Sequence, residues 1–115
     1  MWINGLLKTK KKFSQRGELI MKENLFDTKK EIISNLKKSE DELTQAKSAL
    51  KTKENDLWLN TKFKKLGYTN DDTRRAYVSQ QTDELRVKEE LIKNRITELK
   101  RELDLVDDKI KLFSF

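Results

Sequence analysis

Apolar residues in the second half of the chain recur at steps of three, four and seven residues. They are Val78, Leu85, Ile92, Ile96, Leu99, Leu103, Val106, Ile110 and Phe113. Such steps place apolar side chains in a narrow stripe along one side of an α-helix, which is the a/d pattern of a coiled coil. The pattern predicts a long helix over residues 73–113.

The first half carries a similar but weaker stripe. Its apolar members are Leu25, Ile32, Leu36, Leu43, Ala46, Leu50 and Leu57. Lys29, Ser39 and Lys53 interrupt the stripe, and polar residues at such positions lower stability but can fix the register of helix pairing. The spacing predicts a second helix over residues 22–58. Each stripe, with its polar interruptions, is called a seam below.

Residues 59–72, between the two helices, carry signals for ending and starting helices. Asn60 can cap a short helix over residues 61–66, and Gly67 can take the left-handed conformation that ends it. Thr69 and Asp72 have the spacing of a capping box that opens the next helix. These signals predict a tip made of a short helix and a capped turn.

The two seams match if the chain folds back at this tip. Residues equally distant from a midpoint between Gly67 and Tyr68 then face each other, and the pairs include Leu57 with Val78, Leu36 with Leu99 and Leu25 with Ile110. The predicted fold is therefore all-α, a long antiparallel helical hairpin of the coiled-coil type.

A hairpin of two helices leaves part of each apolar stripe in water. Ile33, Leu91, Leu105 and Leu112 lie just beside the seams and widen the apolar surface. Small helical scaffolds commonly cover such surface by oligomerisation. We expect a homodimer in which two hairpins form a four-helix bundle; the alternative is a monomer whose open face is covered by a partner.

The composition argues against an enzyme. Charged residues make up 40% of the 115 residues and hydrophobic residues 35%, and the chain has neither His nor Cys. The commonest general base, the thiolate nucleophile and the usual zinc ligands are therefore missing. Asp104, Asp107 and Asp108 share a helix face, but without a converging second set we interpret them as a solvated surface. We expect no cofactor and no metal.

The chain also carries no signal for a membrane location. Its apolar runs, such as Leu57-Trp58-Leu59, are far shorter than the roughly 20 residues that span a bilayer. The absence of Cys suits a reducing compartment. We expect no membrane partner and a cytoplasmic location.

The net charge of +6 is concentrated in a leader, residues 1–20, which carries four of the six net positive charges. Arg16-Gly17-Glu18 can be encoded by a purine tract that resembles a bacterial ribosome-binding site shortly before Met21. One interpretation is that Met21 is the natural start and that the leader is translated upstream sequence. The other is that the leader is a native basic arm. In either case residues 21–115 form the predicted hairpin.

Aromatic and basic residues are concentrated in and around the predicted tip. The candidate partner-binding residues are Trp58, Phe63, Lys64, Lys65, Tyr68, Arg74, Arg75 and Tyr77. Aromatic and Arg side chains dominate binding hot spots, and a hairpin tip presents them prominently. The competing interpretation is that a small core closes the tip, while the basic residues, which no core needs, remain for binding. The residues of that core would be Trp58, Phe63, Leu66, Tyr68 and Tyr77.

The tip segment resembles a group of small uncharacterised early proteins from phages and prophages of low-GC Gram-positive bacteria. The resemblance rests on residues 57–78, in which LWLNTKFKKLGYTNDDTRRAYV is similar to a W/L-x-x-T-x-F-x-x-L-G-x-[TK]-N-x-x-x-R-x-A-Y pattern between two coiled-coil helices. Lys62 stands where an acidic residue would be expected, so the resemblance implies no acidic role at this position. The resemblance implies a phage context and a bacterial host, and it implies no known chemistry.

Three functions are compatible with these features. The first is a non-enzymatic module that binds a host nucleic-acid-processing or defence protein and acts stoichiometrically as an inhibitor or adaptor, in the manner of anti-CRISPR or anti-restriction proteins. The second is a nucleic-acid-binding accessory protein of phage replication or recombination, which would use the basic tip or leader. The third is a structural coiled coil in virion assembly. We favour the first.

Overall fold

Residues 2–113 form three α-helices. The computed structural model describes residues 2–113, with the side chains of residue 17 and of residues 19–113. The helices are α1 (Trp2–Asn60), α2 (Asp71–Gln81) and α3 (Asp83–Leu112), and residues 2–113 contain no strand. The all-α prediction is confirmed.

Helix α1 extends beyond the predicted range of 22–58 at both ends. Its backbone includes most of the predicted basic leader, but the leader side chains up to residue 16 and that of residue 18 lie outside the described residues. At the other end the last turn closes with a hydrogen bond from the Thr61 N–H to the Leu57 carbonyl (3.2 Å). The Asn60 side-chain amide donates to an Asp56 carboxylate oxygen (2.6 Å).

The chain divides into two compact units. The terminal unit consists of Met1–Leu36 and Glu98–Phe115. Ile32, Leu99 and Val106 are buried at its centre, with Leu25, Leu36, Leu103 and Ile110 packed against them. All seven are predicted seam residues, contributed by α1 and α3. This packing confirms the antiparallel hairpin, because early α1 residues contact late α3 residues.

The central unit consists of Lys37–Thr97 and contains the tip. Its buried residues come from all three helices and the loop between α1 and α2; they are Ser39, Ala46, Phe63, Val78, Thr82 and Ile96. The Arg86 guanidinium lies 3.7 Å from a Glu54 carboxylate oxygen, which links α3 to α1 within this unit. Here too, most of the buried residues are residues of the predicted seams.

Polar residues occupy more seam positions than the sequence analysis identified. Of the three predicted interruptions, Ser39 is buried, Lys29 is half-buried and Lys53 is exposed. Thr82 and Glu89 also lie on the inward side, and Thr82 is fully buried. Both were overlooked because the apolar steps from Val78 to Leu85 and on to Ile92 are seven residues long and pass over the intermediate polar position.

The predicted helix over residues 73–113 is interrupted at Thr82. This residue has φ −107° and ψ 6°, outside the α-helical range, although the Thr82 N–H still bonds to the Val78 carbonyl and the Arg86 N–H to the Thr82 carbonyl (3.1 Å each). The Thr82 hydroxyl donates to the Val78 carbonyl as well (2.8 Å). A Thr hydroxyl that bonds back to the preceding turn competes with the helix ladder and bends it.

The tip contains hydrogen-bonded turns where a short helix over residues 61–66 was predicted. The N–H groups of Lys65, Leu66 and Gly67 each bond to the carbonyl three residues earlier (3.1–3.2 Å). Gly67 has φ +84°, which confirms its predicted left-handed conformation. The Tyr68 N–H then bonds to the Phe63 carbonyl (3.0 Å). The segment between Asn60 and Gly67 is therefore used to make the reversal and leaves no room for a regular helix.

The cap of α2 also differs from the prediction by one residue. Asn70, not Thr69, is the N-cap: its side-chain oxygen accepts from the Thr73 N–H (2.8 Å) and its carbonyl from the Thr73 hydroxyl (2.9 Å). Asp71 and Asp72 lie in the first turn, where carboxylates interact favourably with the helix dipole.

The homodimer and the four-helix bundle stay predictions.

Candidate functional site

Four aromatic rings pack in a row at the tip of the hairpin. Phe63 lies between Trp58, at a centroid distance of 5.6 Å, and Tyr77, at 6.1 Å with the two rings nearly perpendicular. Tyr77 in turn packs against Tyr68 at 5.1 Å. These distances are typical of favourable aromatic pairs. We call these four residues the aromatic row.

Phe63 is the centre of this arrangement. It is 9% exposed, whereas Tyr68 and Tyr77 are half-buried. The Arg74 guanidinium covers the Phe63 ring at 5.6 Å from its centroid, and Arg74 Nε donates to the Tyr68 carbonyl (3.3 Å). Arg74 therefore joins the start of α2 to the turn that precedes it.

Chain geometry explains how these side chains come together. Trp58 lies in the last turn of α1. The hydrogen-bonded turn begins at Phe63, and Tyr68 is the first residue after it. Arg74 and Tyr77 lie one helical turn apart on α2. The reversal at Gly67 returns the chain toward α1, and the Asn70 cap sets where α2 begins. The aromatic row thus depends on the end of α1, the reversal at Gly67 and the Asn70 cap of α2.

The tip also exposes large apolar side chains. Trp58 is 41% exposed although one side of its indole meets Phe63, and Leu59 and Leu66 are 82% and 53% exposed. Neither leucine was among the predicted binding residues, and the exposure of Leu66 contradicts its place in the alternative tip core. Leu59 lies in the last turn of α1 but off the seam, and this mismatch with the period was the signal in the sequence that could have identified it.

Basic side chains accompany these apolar ones. Lys62, Lys64, Lys65 and Arg75 are all exposed, and none of them forms an ion pair with a described residue. Arg74 is the exception, since it is half-buried and its guanidinium is used within the tip. The tip therefore exposes both large apolar and basic side chains.

The structure therefore divides the predicted site residues into two groups. Phe63, Tyr68, Arg74 and Tyr77 contact one another and hold the tip together. Trp58, Lys64, Lys65 and Arg75 present surface to solvent. The ring contacts agree with the interpretation that Phe63, Tyr68 and Tyr77 close the tip, and the binding role of the exposed group stays a prediction.

Two other features of the described residues bear on function. No group of three or more Asp and Glu side chains among them is arranged to hold a metal ion, and Asp107 of the predicted acidic face pairs with Lys29 (2.7 Å). None of the helices, over the residues described, has a stretch long and apolar enough to cross a membrane.

Comparisons with protein families, with curated proteins and with solved structures find no match to this chain.

Proposed function

We propose that this chain is a non-enzymatic protein-binding module that uses the tip of its hairpin to bind a partner protein. The observation that carries the proposal is the position of Trp58, which rests on the buried Phe63 ring and still exposes 41% of its surface. An aromatic side chain held in place before binding loses little conformational freedom in the complex. Such residues are typical binding hot spots.

The surroundings of Trp58 indicate the chemistry of the partner. Leu59 and Leu66 add apolar surface, and the four exposed basic residues of the tip supply positive charge. A partner with an apolar patch bordered by carboxylates would complement this surface. In the context implied by the phage resemblance, the partner is a host nucleic-acid-processing or defence protein in the bacterial cytoplasm, which the module inhibits or redirects by stoichiometric binding.

Nucleic-acid binding is the competing function, and the packing of the rings weighs against it. Single-stranded nucleic acids bind by stacking bases on free aromatic faces. In the tip, Tyr68 and Tyr77 pack against each other, and the Arg74 guanidinium faces Phe63. These groups are engaged within the protein, which favours a protein partner.

Affinity purification from a Gram-positive host tests the proposal. The full tagged chain is expected to retain one host protein in stoichiometric amount after nuclease treatment. Replacement of Leu59 by Ser together with Trp58→Ala should abolish this retention, because two of the three exposed apolar side chains of the tip, including Trp58, are lost. Leu112→Ser is the matched control: Leu112 is 75% exposed, lies near the end of α3, and its replacement should leave retention unchanged.

Two results would contradict the proposal. One is a host protein retained equally by the wild-type chain and the tip variant, which would place binding elsewhere on the molecule. The other is recovery of nucleic acid alone, lost on nuclease treatment or in high salt, which would establish the competing function. Helix content by circular dichroism should be the same for all variants, because none of the replaced residues is buried.

A further inference from the structure

Arg86 joins α1, α2 and α3 within the central unit. One terminal nitrogen of its guanidinium donates to the Ser79 hydroxyl of α2 (2.7 Å), and the other donates to the Thr82 hydroxyl at the junction of α2 and α3 (2.9 Å). The latter nitrogen also lies 3.7 Å from a Glu54 carboxylate oxygen of α1. A guanidinium is planar and rigid, so it holds its acceptors in fixed directions from one another. Arg86 therefore fixes the end of α2 relative to both long helices.

The contacts of Arg86 lie next to the two rings between which Phe63 is packed. Glu54 precedes Trp58 by four residues on α1, which places their side chains on the same side of that helix, one turn apart. Ser79 lies in the last turn of α2, two residues after Tyr77. Arg86 thus links the helix segment that carries Trp58 to the segment that carries Tyr77, although it contacts neither ring.

The junction between α2 and α3 is where such a link is needed. Thr82 has φ −107° and ψ 6°, outside the α-helical range, so α2 is not a continuous extension of α3. A helix of 11 residues has little stability of its own and depends on its packing. The placement of α2 therefore depends on side-chain contacts, and the two hydrogen bonds from Arg86 to Ser79 and Thr82 are made at the junction itself.

We propose that Arg86 is a positioning residue for Trp58. By holding the end of α2, it keeps Tyr77 against Phe63 (6.1 Å between ring centroids) and Phe63 against the Trp58 indole (5.6 Å). Loss of the guanidinium loosens α2, and the loosening reaches Trp58 through these two ring contacts. The consequence for binding rests on the proposed function, because an aromatic side chain ordered before binding loses less conformational freedom in the complex.

The exposure of Arg86 separates this role from a purely stabilising one. The Arg86 and Glu54 side chains are 41% and 36% exposed, and an ion pair with that exposure contributes little to stability. The apolar seam residues Ala46, Val78 and Ile96 remain buried in the same unit whatever residue stands at position 86. We therefore expect the hairpin to fold without Arg86, with its tip less ordered.

Fluorescence of Trp58 in the full chain tests the proposal. Trp2→Phe leaves Trp58 as the single tryptophan of the chain. In this background Arg86→Met should raise the acrylamide quenching constant of Trp58 about 1.5-fold, short of the roughly twofold increase that complete exposure of a residue already 41% exposed would give. Arg95→Met is the matched control and should leave quenching unchanged, because Arg95 lies on the same helix, is exposed and forms no ion pair with a described residue.

Two further variants test the route from Arg86 to Trp58. Ser79→Ala removes only the acceptor on α2 and should raise the quenching constant by a smaller amount, which keeps the test open if Arg86→Met fails to fold. Phe63→Leu removes the ring on which Trp58 rests. Adding Arg86→Met to Phe63→Leu should then cause no further increase, because the route through the ring contacts is already broken.

Three outcomes would overturn the proposal. One is quenching that stays at the wild-type value in Arg86→Met and Ser79→Ala, even if urea denaturation shows a lower midpoint, because a residue that only stabilises the fold does not change the exposure of Trp58 in the native state. The second is an equal increase in Arg95→Met. The third is an effect of Arg86→Met that persists in full alongside Phe63→Leu, which would exclude the ring contacts as the route.

The fluorescence experiment uses the free chain, so its result is independent of any partner. If quenching rises as expected but affinity purification retains no host protein, the positioning role of Arg86 stands and the proposed function fails. If a host protein is retained through the tip while the quenching of Trp58 is the same in all Arg86 and Ser79 variants, the proposed function stands and the positioning role fails.

Discussion

At the scale of single residues, Asn70 decides where α2 begins. Thr69 and Asp72 have the spacing of a capping box, but Asn70 offers a side-chain oxygen one position later, and the Thr73 N–H and hydroxyl both bond to Asn70. Asn is at least as favourable an N-cap as Thr. The cap residue matters for the tip because it sets the rotation of α2, and therefore the direction in which Arg74 and Tyr77 point.

We expect Asn70→Ala to destabilise the protein by about 1 kcal/mol, which is the usual loss when an N-cap side chain is removed. Thr69→Ala is the matched control and should change stability by less than about 0.5 kcal/mol, because Thr69 is exposed and does not cap the helix. Urea denaturation monitored by circular dichroism measures both. Equal losses for the two variants would instead support the capping box.

Phe63 shows how the burial of a single residue changes its expected role. In the sequence it is one of eight candidate binding residues at the tip. In the structure it is buried between Trp58 and Tyr77 and covered by Arg74. Under the proposed function its contribution to binding is indirect, because it holds Trp58 in place.

At the scale of the helices, Thr82 separates α2 from α3. Its hydroxyl donates to the Val78 carbonyl and accepts from one terminal nitrogen of the Arg86 guanidinium (2.9 Å). The other terminal nitrogen of Arg86 donates to the Ser79 hydroxyl (2.7 Å). A fully buried hydroxyl needs such partners, because an unpaired one would cost stability. The interruption therefore comes with a satisfied polar network within an otherwise apolar seam.

Replacement of Thr82 by Val keeps the shape of the side chain and removes the hydroxyl. We expect a loss of about 1 kcal/mol, since the Arg86 guanidinium loses an acceptor at a half-buried site. Thr97→Val is the control. The Thr97 hydroxyl makes the same kind of bond, to the Lys93 carbonyl (3.1 Å), but is exposed, so its removal should be nearly neutral. Chemical denaturation compares the two, and a Thr82→Val protein as stable as wild type would show that the network contributes nothing.

At the scale of the whole molecule, contacts between residues distant in the sequence define each unit. In the terminal unit the Lys29 ammonium lies 2.7 Å from an Asp107 carboxylate oxygen, and both side chains are 35% exposed. Lys29 was predicted to interrupt the seam. The structure shows how that interruption is accommodated, since Asp107, beside the opposite seam, supplies a charge partner.

A double-mutant cycle with Lys29→Met and Asp107→Asn measures this contact. We expect a coupling energy of about 0.5 kcal/mol at low salt, as is typical of partly exposed ion pairs, and a smaller value at high salt because of screening. The Glu89–Lys93 pair (3.4 Å) lies within α3 and provides a comparison. A cycle on that pair reports helix stability alone. Zero coupling between Lys29 and Asp107 at low salt would contradict a role for the contact in hairpin stability.

The candidate site was predictable in position but not in its internal arrangement. The concentration of aromatic and basic residues between the two helices is visible in the sequence, and Trp58, Lys64, Lys65 and Arg75 are exposed in the structure. Leu59 was missed although its position off the seam distinguishes it, and the exposure of Leu66 was missed because a leucine in a loop has no distinguishing pattern. Only the folded tip shows that the Phe63 side chain is covered and that these two are not.

The sequence by itself determined the long helices, the apolar residues that face inward and the point of reversal. These features follow from a period of about 3.6 residues per turn and from the conformational freedom of Gly67, which are local properties. The tertiary structure alone decided the loss of the short helix at the tip, the use of Asn70 as cap, the interruption at Thr82 and the burial of Phe63. Each of these was a choice between local conformations that the period of the apolar residues does not distinguish, and the hydrogen bonds and ring contacts of the folded tip and of the α2–α3 junction show which one is adopted.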